Sequence, residues 1–257
     1  MLKRVTAREM RGEHFRYFDF VMVAFVVILV LSNVVGAGKR AVIDLPGIGV
    51  WPFGAGILFF PISYVIDDVL TEVYGYARAR RVIWTGFVAL AFLVVMEWTV
   101  VALPPAADWT GQGHYEYVFG LPPHLIGTFP YISVGIGGRI AFASLCAFCV
   151  GDFLNSYVLA RMKIWTEGRM LWTRTIGSTI IGEGADSLIF YPLAFYGLPD
   201  WPVAAMLMVM LSQFVLKVSW EVVLTPVTYA VVGFLKRAEG VDVYDRGTDF
   251  SPFHTSV

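Results

Sequence analysis

Three carboxylates, Asp67, Asp68 and Glu72, close an apolar run that begins at Ala55, and the cluster Arg78, Arg80 and Arg81 follows. Asp68 and Glu72 are four residues apart and share one helical face. Asp67, beside Asp68, points to another face, where it is free to cap the helix or pair with the Arg cluster. The pattern recurs along the chain. Asp152 and Asn155 are three apart, as are Glu183 and Asp186, so each pair shares a face. Gln213, Lys217 and Glu221 form a stripe at four-residue spacing. Ionisable groups in apolar helices are costly and mark substrate sites or proton pathways unless they pair with one another. Four helices with polar faces exceed what one or two structural ion pairs require, which favours a polar pathway over a purely structural network.

The chain that must hold these groups has 257 residues, 57% hydrophobic and 15% charged. A soluble domain carries roughly 25% charged residues. This is the composition of an all-α, polytopic membrane protein. Each span needs about 20 residues to cross a hydrocarbon layer of about 30 Å, and the chain accommodates six. They run over 20–37, 55–74, 82–103, 132–159, 171–196 and 203–235. The organisation predicted is a basic tail over 1–19, a six-span domain over 20–235 and a short, frayed, polar tail over 236–257. The first apolar run is long enough to span and lacks a small-residue cleavage pattern, so it is read as a span rather than a signal peptide. With both termini inside, only Lys39 and Arg40 fall outside and only Arg139 and Lys217 lie within spans. The positive-inside rule therefore predicts six helices with both ends in the cytoplasm.

The lesser features divide quickly. Arg174 sits near a helix end and is expected to snorkel to the interface. Glu97 stands alone near the outer leaflet. Cys146 and Cys149 read as buried free thiols, because no second ligand pair accompanies them. The histidines, at 14, 114, 124 and 254, avoid the spans. Gly135, Gly137 and Gly138 suit close helix packing or a helix break beside Arg139. No Walker motif is present, and neither a metal site nor a cofactor is expected. An internal echo links Asp68–Tyr74 and Arg78 to Asp152–Tyr157 and Arg161, the pattern of two parallel repeats.

An ordered set of short pieces carries a family resemblance. It comprises Ser32-Asn33, Phe60-Pro61 with Asp68, Ala79-Arg80-Arg81, Arg139-Ile140-Ala141 with Ala143-Ser144, Gly151 to Asn155, Ser178 to Phe190, and Lys217. In these the chain resembles the queuosine precursor transporter family, six-span proteins placed beside vitamin uptake proteins. It departs from the family pattern in placing Asp152 before Asn155 and in carrying Glu183 ahead of Asp186. The resemblance implies uptake of 7-deazaguanines for tRNA modification: 7-cyano-7-deazaguanine, 7-aminomethyl-7-deazaguanine or queuine. It also implies a bacterial cytoplasmic (inner) membrane.

The residue chemistry suits such a ligand. A guanine-like edge offers ring N–H and amine donors to a carboxylate, its carbonyl needs a donor, and its plane needs an aromatic surface. Asn33, Asp68, Glu72, Arg139, Asp152, Asn155, Glu183, Asp186 and Lys217 are the candidate substrate-binding residues. Glu183 or Asp186 is expected to read the amine edge, and Lys217, Arg139 or Asn33 the carbonyl. Asp68, Glu72 and Asp152 form an inner, proton-bearing wall. Phe60, Tyr64, Phe190 and Tyr191 are the stacking candidates. The expected partners are the small-molecule substrate and the bilayer, with no direct nucleic acid; a homodimer stays open. Two alternatives remain: a substrate-capture subunit of an energy-coupled vitamin importer, which needs coupling subunits, and an intramembrane enzyme.

Overall fold

The long apolar segments fold into six helices among the described residues of the computed structural model. These residues are 3–6, 9–10, 13–36, 40–45, 49–54, 59–103, 138–197 and 201–254. The helices are α1 (Phe18–Gly36), α2 (Phe60–Tyr74), α3 (Tyr76–Ala102), α4 (Gly138–Trp165), α5 (Leu171–Phe195) and α6 (Val203–Glu239). They fall where the spans were predicted. Three, over Tyr76–Met96, Ala141–Trp165 and Val203–Glu239, are long and apolar enough to cross a membrane, and Phe18–Val34 is a shorter apolar helix. α2 has only 15 residues, and α5 is interrupted by Arg174, Glu183 and Asp186. The predicted long connection 104–130, with His114 and His124, lies outside the described residues, as do 55–58 and 132–137.

Local chemistry sets the helix ends. Pro61 occupies the first turn of α2, where its missing N–H costs nothing. Gly75 ends α2 at φ +83°, a left-handed conformation that favours glycine. A Cβ there would also meet Val243 at 3.0 Å. α3 then starts under the Asp245 carboxylate, which accepts the Tyr76 N–H at 3.0 and 3.1 Å. Pro192 lies within α5 and Pro226 within α6, and each removes one helical hydrogen bond. At 37 residues α6 is about 55 Å long, well beyond the apolar layer.

The tail over 236–257, expected to be frayed, instead contributes a strand that pairs with the basic N-terminal segment. Lys3–Thr6 (β1) pairs in parallel with Val241–Tyr244 (β4), with Lys3 opposite Val241 and Thr6 opposite Tyr244. A second, antiparallel pair joins Arg40–Leu45 (β2) to Gly49–Gly54 (β3) between α1 and α2. Residues beyond β4 dock on α3. Tyr76 Oη donates to the Phe250 carbonyl, Arg80 to those of Asp249 and Ser251, and Trp84 Nε1 to that of Pro252. Arg78 donates to the Met10 carbonyl and stacks over Phe15. The apolar periodicity of the spans dominated the sequence reading and hid these short strands. Of the Arg cluster, Arg78 and Arg80 thus bind backbone carbonyls near the two ends of the sequence.

The main apolar core lies where α1, α2 and α3 meet, around Phe25, Leu29, Leu70, Val73, Tyr74 and Ile83, all buried. α4 and α5 form an antiparallel hairpin whose backbones meet at two glycines. A Cβ on Gly182 would lie 2.8 Å from Asn155 Cβ and 2.9 Å from the Gly151 carbonyl oxygen. One on Gly151 would lie 3.1 Å from Asp186 Cβ. This small-residue contact lets the helices approach closely and sets Asp152 and Asn155 against Glu183 and Asp186. Overpacking such a contact costs about 1–3 kcal/mol, so Gly182→Ala lowers the thermal unfolding midpoint of the purified protein. Gly184→Ala, whose Cβ meets nothing nearer than Phe214 at 3.8 Å, leaves that midpoint unchanged or raises it.

Candidate functional site

The buried polar residues separate into three groups. The first centres on Glu72, at the end of the bundle that carries the chain termini. Its carboxylate is wholly buried and is forked by Arg174, with Nε to Oε2 at 2.9 Å and a terminal nitrogen to Oε1 at 2.8 Å. Lys236 reaches the same Oε1, and Lys163 lies 3.4 Å from it. Asp242 of β4 completes the node, 2.8 Å from Lys163 and 2.6 Å from Lys236. Lys163 also donates to the Glu72 and Val243 carbonyls. Arg174 is 1% exposed and therefore does not snorkel; its remaining donors hold the α4–α5 turn through Arg169 O and Thr166 Oγ1. For Asp242, burial raises the carboxyl, but Lys163 and Lys236 outweigh it and hold it below its ordinary 3.8. Its stabilising contribution is present above 3.8 and is lost as pH falls through the lower folded value.

The second group joins α2 to α4. The Asn155 amide donates to Asp68 Oδ1 at 2.8 Å and Asp67 Oδ2 at 3.2 Å. Ser156 donates to Asp67 and meets Thr71 at 2.8 Å. Asp67 thus binds α4 rather than capping its helix or pairing with the Arg cluster. The two echoing stretches face one another at these contacts.

The third group lies deeper along α5 and α6. Lys217 Nζ is 2.6 Å from Glu183 Oε2, 2.9 Å from Asp186 Oδ2 and 3.2 Å from Tyr64 Oη. It also stands 5.4 Å from the Tyr64 ring centre. Tyr191, which meets Phe190 edge to face at 5.2 Å, is within electrostatic reach of Lys217 and Asp186. Asp152 is within similar reach of Glu183, Asp186 and Lys217. Lys217 sits 14 residues into α6, about 21 Å from the helix start, well inside a helix long enough to cross a hydrocarbon layer of about 30 Å. One ammonium, flanking carboxylates and two phenol rings can exchange internal hydrogen bonds for those of a flat ligand rich in donors and acceptors.

The candidate residues therefore divide. Glu183, Asp186 and Lys217 converge directly, with Asp152 beside them. Asp68 and Asn155 form an adjacent layer on α2 and α4. Glu72 belongs to the terminal node, with both carboxylate oxygens engaged by cations. Asn33 donates to the Leu29 carbonyl of its own helix. Arg139 lies in the first turn of α4, and its side chain, like that of Glu97, is outside the described part. The cysteines are unpaired, and among the described residues no group of metal-ligating side chains converges. Sequence reasoning missed the Gly151–Gly182 contact and the roles of Lys163, Lys236 and Asp242. Lys163 and Lys236 looked like topology markers, and nothing in their spacing announced a shared carboxylate. Thr179 and Ser187 flank Glu183 at four-residue spacing, and that spacing was a legible signal.

The sequence model of a family described as putative vitamin uptake transporter matches residues 54–231, which include all three polar groups except Lys236 and Asp242. A probable queuosine precursor transporter of Bacillus subtilis (strain 168) is 30% identical over 185 residues, 72% of this chain and 73% of that protein. The chain belongs to the queuosine precursor transporter family. The resemblance expected from the short sequence pieces is thereby confirmed. A queuosine precursor transporter of Escherichia coli (strain K12) is 26% identical over 145 residues, 56% of each chain. A probable one of Haemophilus influenzae is 25% identical over 149 residues, 56% of this chain and 53% of that protein. No solved structure matches. The family supports a transporter role in a membrane, and the Lys217 group is the candidate for its substrate site.

The Glu72 node yields a stability prediction. Removing one member of a buried ion pair costs about 3–5 kcal/mol, because the partners stay buried and uncompensated. Glu72→Gln therefore unfolds at a markedly lower temperature than the parent protein. The double variant Glu72→Met, Arg174→Met recovers part of the loss, and a double-mutant cycle on purified protein measures the coupling.

Proposed function

We propose that this chain imports a 7-deazaguanine precursor of queuosine, the 7-cyano, 7-aminomethyl or queuine form, across a bacterial inner membrane. It does so as a secondary, proton-coupled carrier with both termini in the cytoplasm. The observation that carries this reading is Lys217 held between Glu183 and Asp186, with Tyr64 and Tyr191 alongside, well inside the long apolar helix α6. The names of the relatives supply the substrate class.

The geometry suggests how such a ligand binds. Its ring N–H and exocyclic amine donate to Glu183 or Asp186, displacing the Lys217 ammonium, which turns to the ring carbonyl. Each charge-assisted hydrogen bond inside the protein is exchanged for one to the ligand, so binding leaves no buried donor or acceptor unsatisfied. Stacking on a tyrosine contributes about 1–3 kcal/mol. Asp152, behind these residues, lines the same path. The reaction is transport with the ligand unchanged, and no enzymatic role is proposed. A competing reading, substrate capture for an energy-coupled vitamin importer, is kept because the family description names vitamin uptake. It requires partner subunits.

The test is queuosine in tRNA of a bacterium that lacks both precursor synthesis and its own transporter. This chain alone restores modification at low external precursor. Lys217→Met, Glu183→Gln and Asp186→Asn each lower initial uptake about 10- to 100-fold, the equivalent of one charged hydrogen bond of about 1.5–3 kcal/mol. Normal uptake by all three variants would place the site elsewhere. Restoration only with added coupling subunits would favour the competing reading.

A further inference from the structure

Glu221 is 1% exposed, and neither carboxylate oxygen has a hydrogen-bond partner among the described residues. It lies one helical turn beyond Lys217 on α6, a helix that packs against both α2 and α5. Asp68, on α2, is fully buried and within electrostatic reach of Glu221; its Oδ1 is held by Asn155, but its Oδ2 is unpartnered. Asn155 Oδ1 on α4 and Thr179 Oγ1 on α5 are also buried and unpartnered. α2, α4 and α6 thus bring unpartnered acceptor oxygens into one buried layer.

The charge balance decides what that layer lacks. Asp67, Asp68, Asp152, Glu183, Asp186 and Glu221 occupy the interior between the helices. Among described side chains, the one cation facing them is Lys217, already bonded to Glu183 and Asp186. The cations Arg174, Lys163 and Lys236 are committed to Glu72 and Asp242. Tyr64 and Tyr191 add no positive charge. An ionised carboxylate without a partner costs several kcal/mol in a buried site, and the group neutralises instead. Among the described residues no group of three metal-ligating side chains converges.

We propose that Asp68 and Glu221 form a proton-carrying pair, separate from the Lys217 substrate site, each held in the closed interior as a neutral acid. A proton taken up from the external side converts the carboxylate to the acid, and its release on the opposite side regenerates the carboxylate. As a neutral acid each side chain gains the O–H donor that a layer of acceptors needs. The pair is the coupling element of the proposed carrier, and the inference rests on that reading.

Two measurements on the full chain in lipid test it. Infrared spectra during a pH titration report protonated carboxyl groups directly. The parent protein retains buried protonated-carboxyl absorption at neutral pH, and Asp68→Asn and Glu221→Gln each remove a component of it. Unchanged spectra would overturn the proposal. In proteoliposomes, a one-unit inward pH gradient sustains about tenfold accumulation for each coupled proton. Glu221→Gln loses that accumulation yet exchanges 7-deazaguanine across the membrane near the parental rate, and Glu221→Asp, which keeps a titratable group, retains it. Accumulation driven by sodium in place of protons, or loss of exchange in a normally folded Glu221→Gln, would also overturn it. A parent protein that exchanges no 7-deazaguanine would sink the functional reading, while the infrared result would still decide the pair.

Discussion

A carboxylate buried without water must be surrounded by donors, and in this protein Glu72 is the point at which that requirement organises the bundle. One side chain from α2 draws in Arg174 from α5, Lys163 from α4 and Lys236 from α6. Asp242 then ties β4 to two of the same cations. Arg174 spends its other donors on carbonyls of the α4–α5 turn, where Glu167 and Met170 adopt left-handed backbone conformations. The fork on Glu72 thus fixes both the helix positions and the tight connection that makes α4 and α5 antiparallel. Hydrophobic packing alone specifies helix order poorly when every helix is apolar. A polar node with one geometric solution removes the ambiguity.

That node and the Lys217 group differ in how their charges are matched. Around Glu72 and Asp242 three cations meet two acids, so the assembly stays ionised and rigid. Around Lys217 the acids outnumber the cation. Nine residues separate Arg174 from Glu183, about 14 Å along α5, and over that distance the helix passes from a fully matched site to an under-matched one. The first arrangement suits a fixed end of the bundle; the second suits a place where ligands and protons are exchanged. The Gly151–Gly182 contact sets the register of α4 against α5, the helix that contributes to both.

The helices were legible because apolar runs of span length leave few alternatives. The acid pairs on α4 and α5 were legible because three-residue spacing forces a shared face. The partition of those residues was not legible. Asp68 and Glu72, one turn apart, look equivalent in sequence, yet one meets an amide and the other three cations. What separates them is which lysines the later helices deliver, a tertiary fact that spacing does not encode. Arg174 looked like an interfacial residue because it begins a helix, but the strands formed by the chain ends cover that region. Those strands escaped notice because four residues such as Lys3–Thr6 carry too little pattern to compete with the spans beside them.

The parallel pairing of β1 with β4 also bears on how the molecule is made. Lys3 and Val241 are neighbours across a sheet although nearly the whole chain lies between them. Such a contact has the highest possible contact order and forms late. During synthesis β1 and α1 emerge early, and β1 has no partner until Val241–Tyr244 has left the ribosome. Lys236 and Asp242 arrive at the same moment, so the cations of Lys163 and Arg174 share Glu72 alone until then. The β1–β4 pair and the Glu72 node are therefore completed only after α6 and β4 have been made.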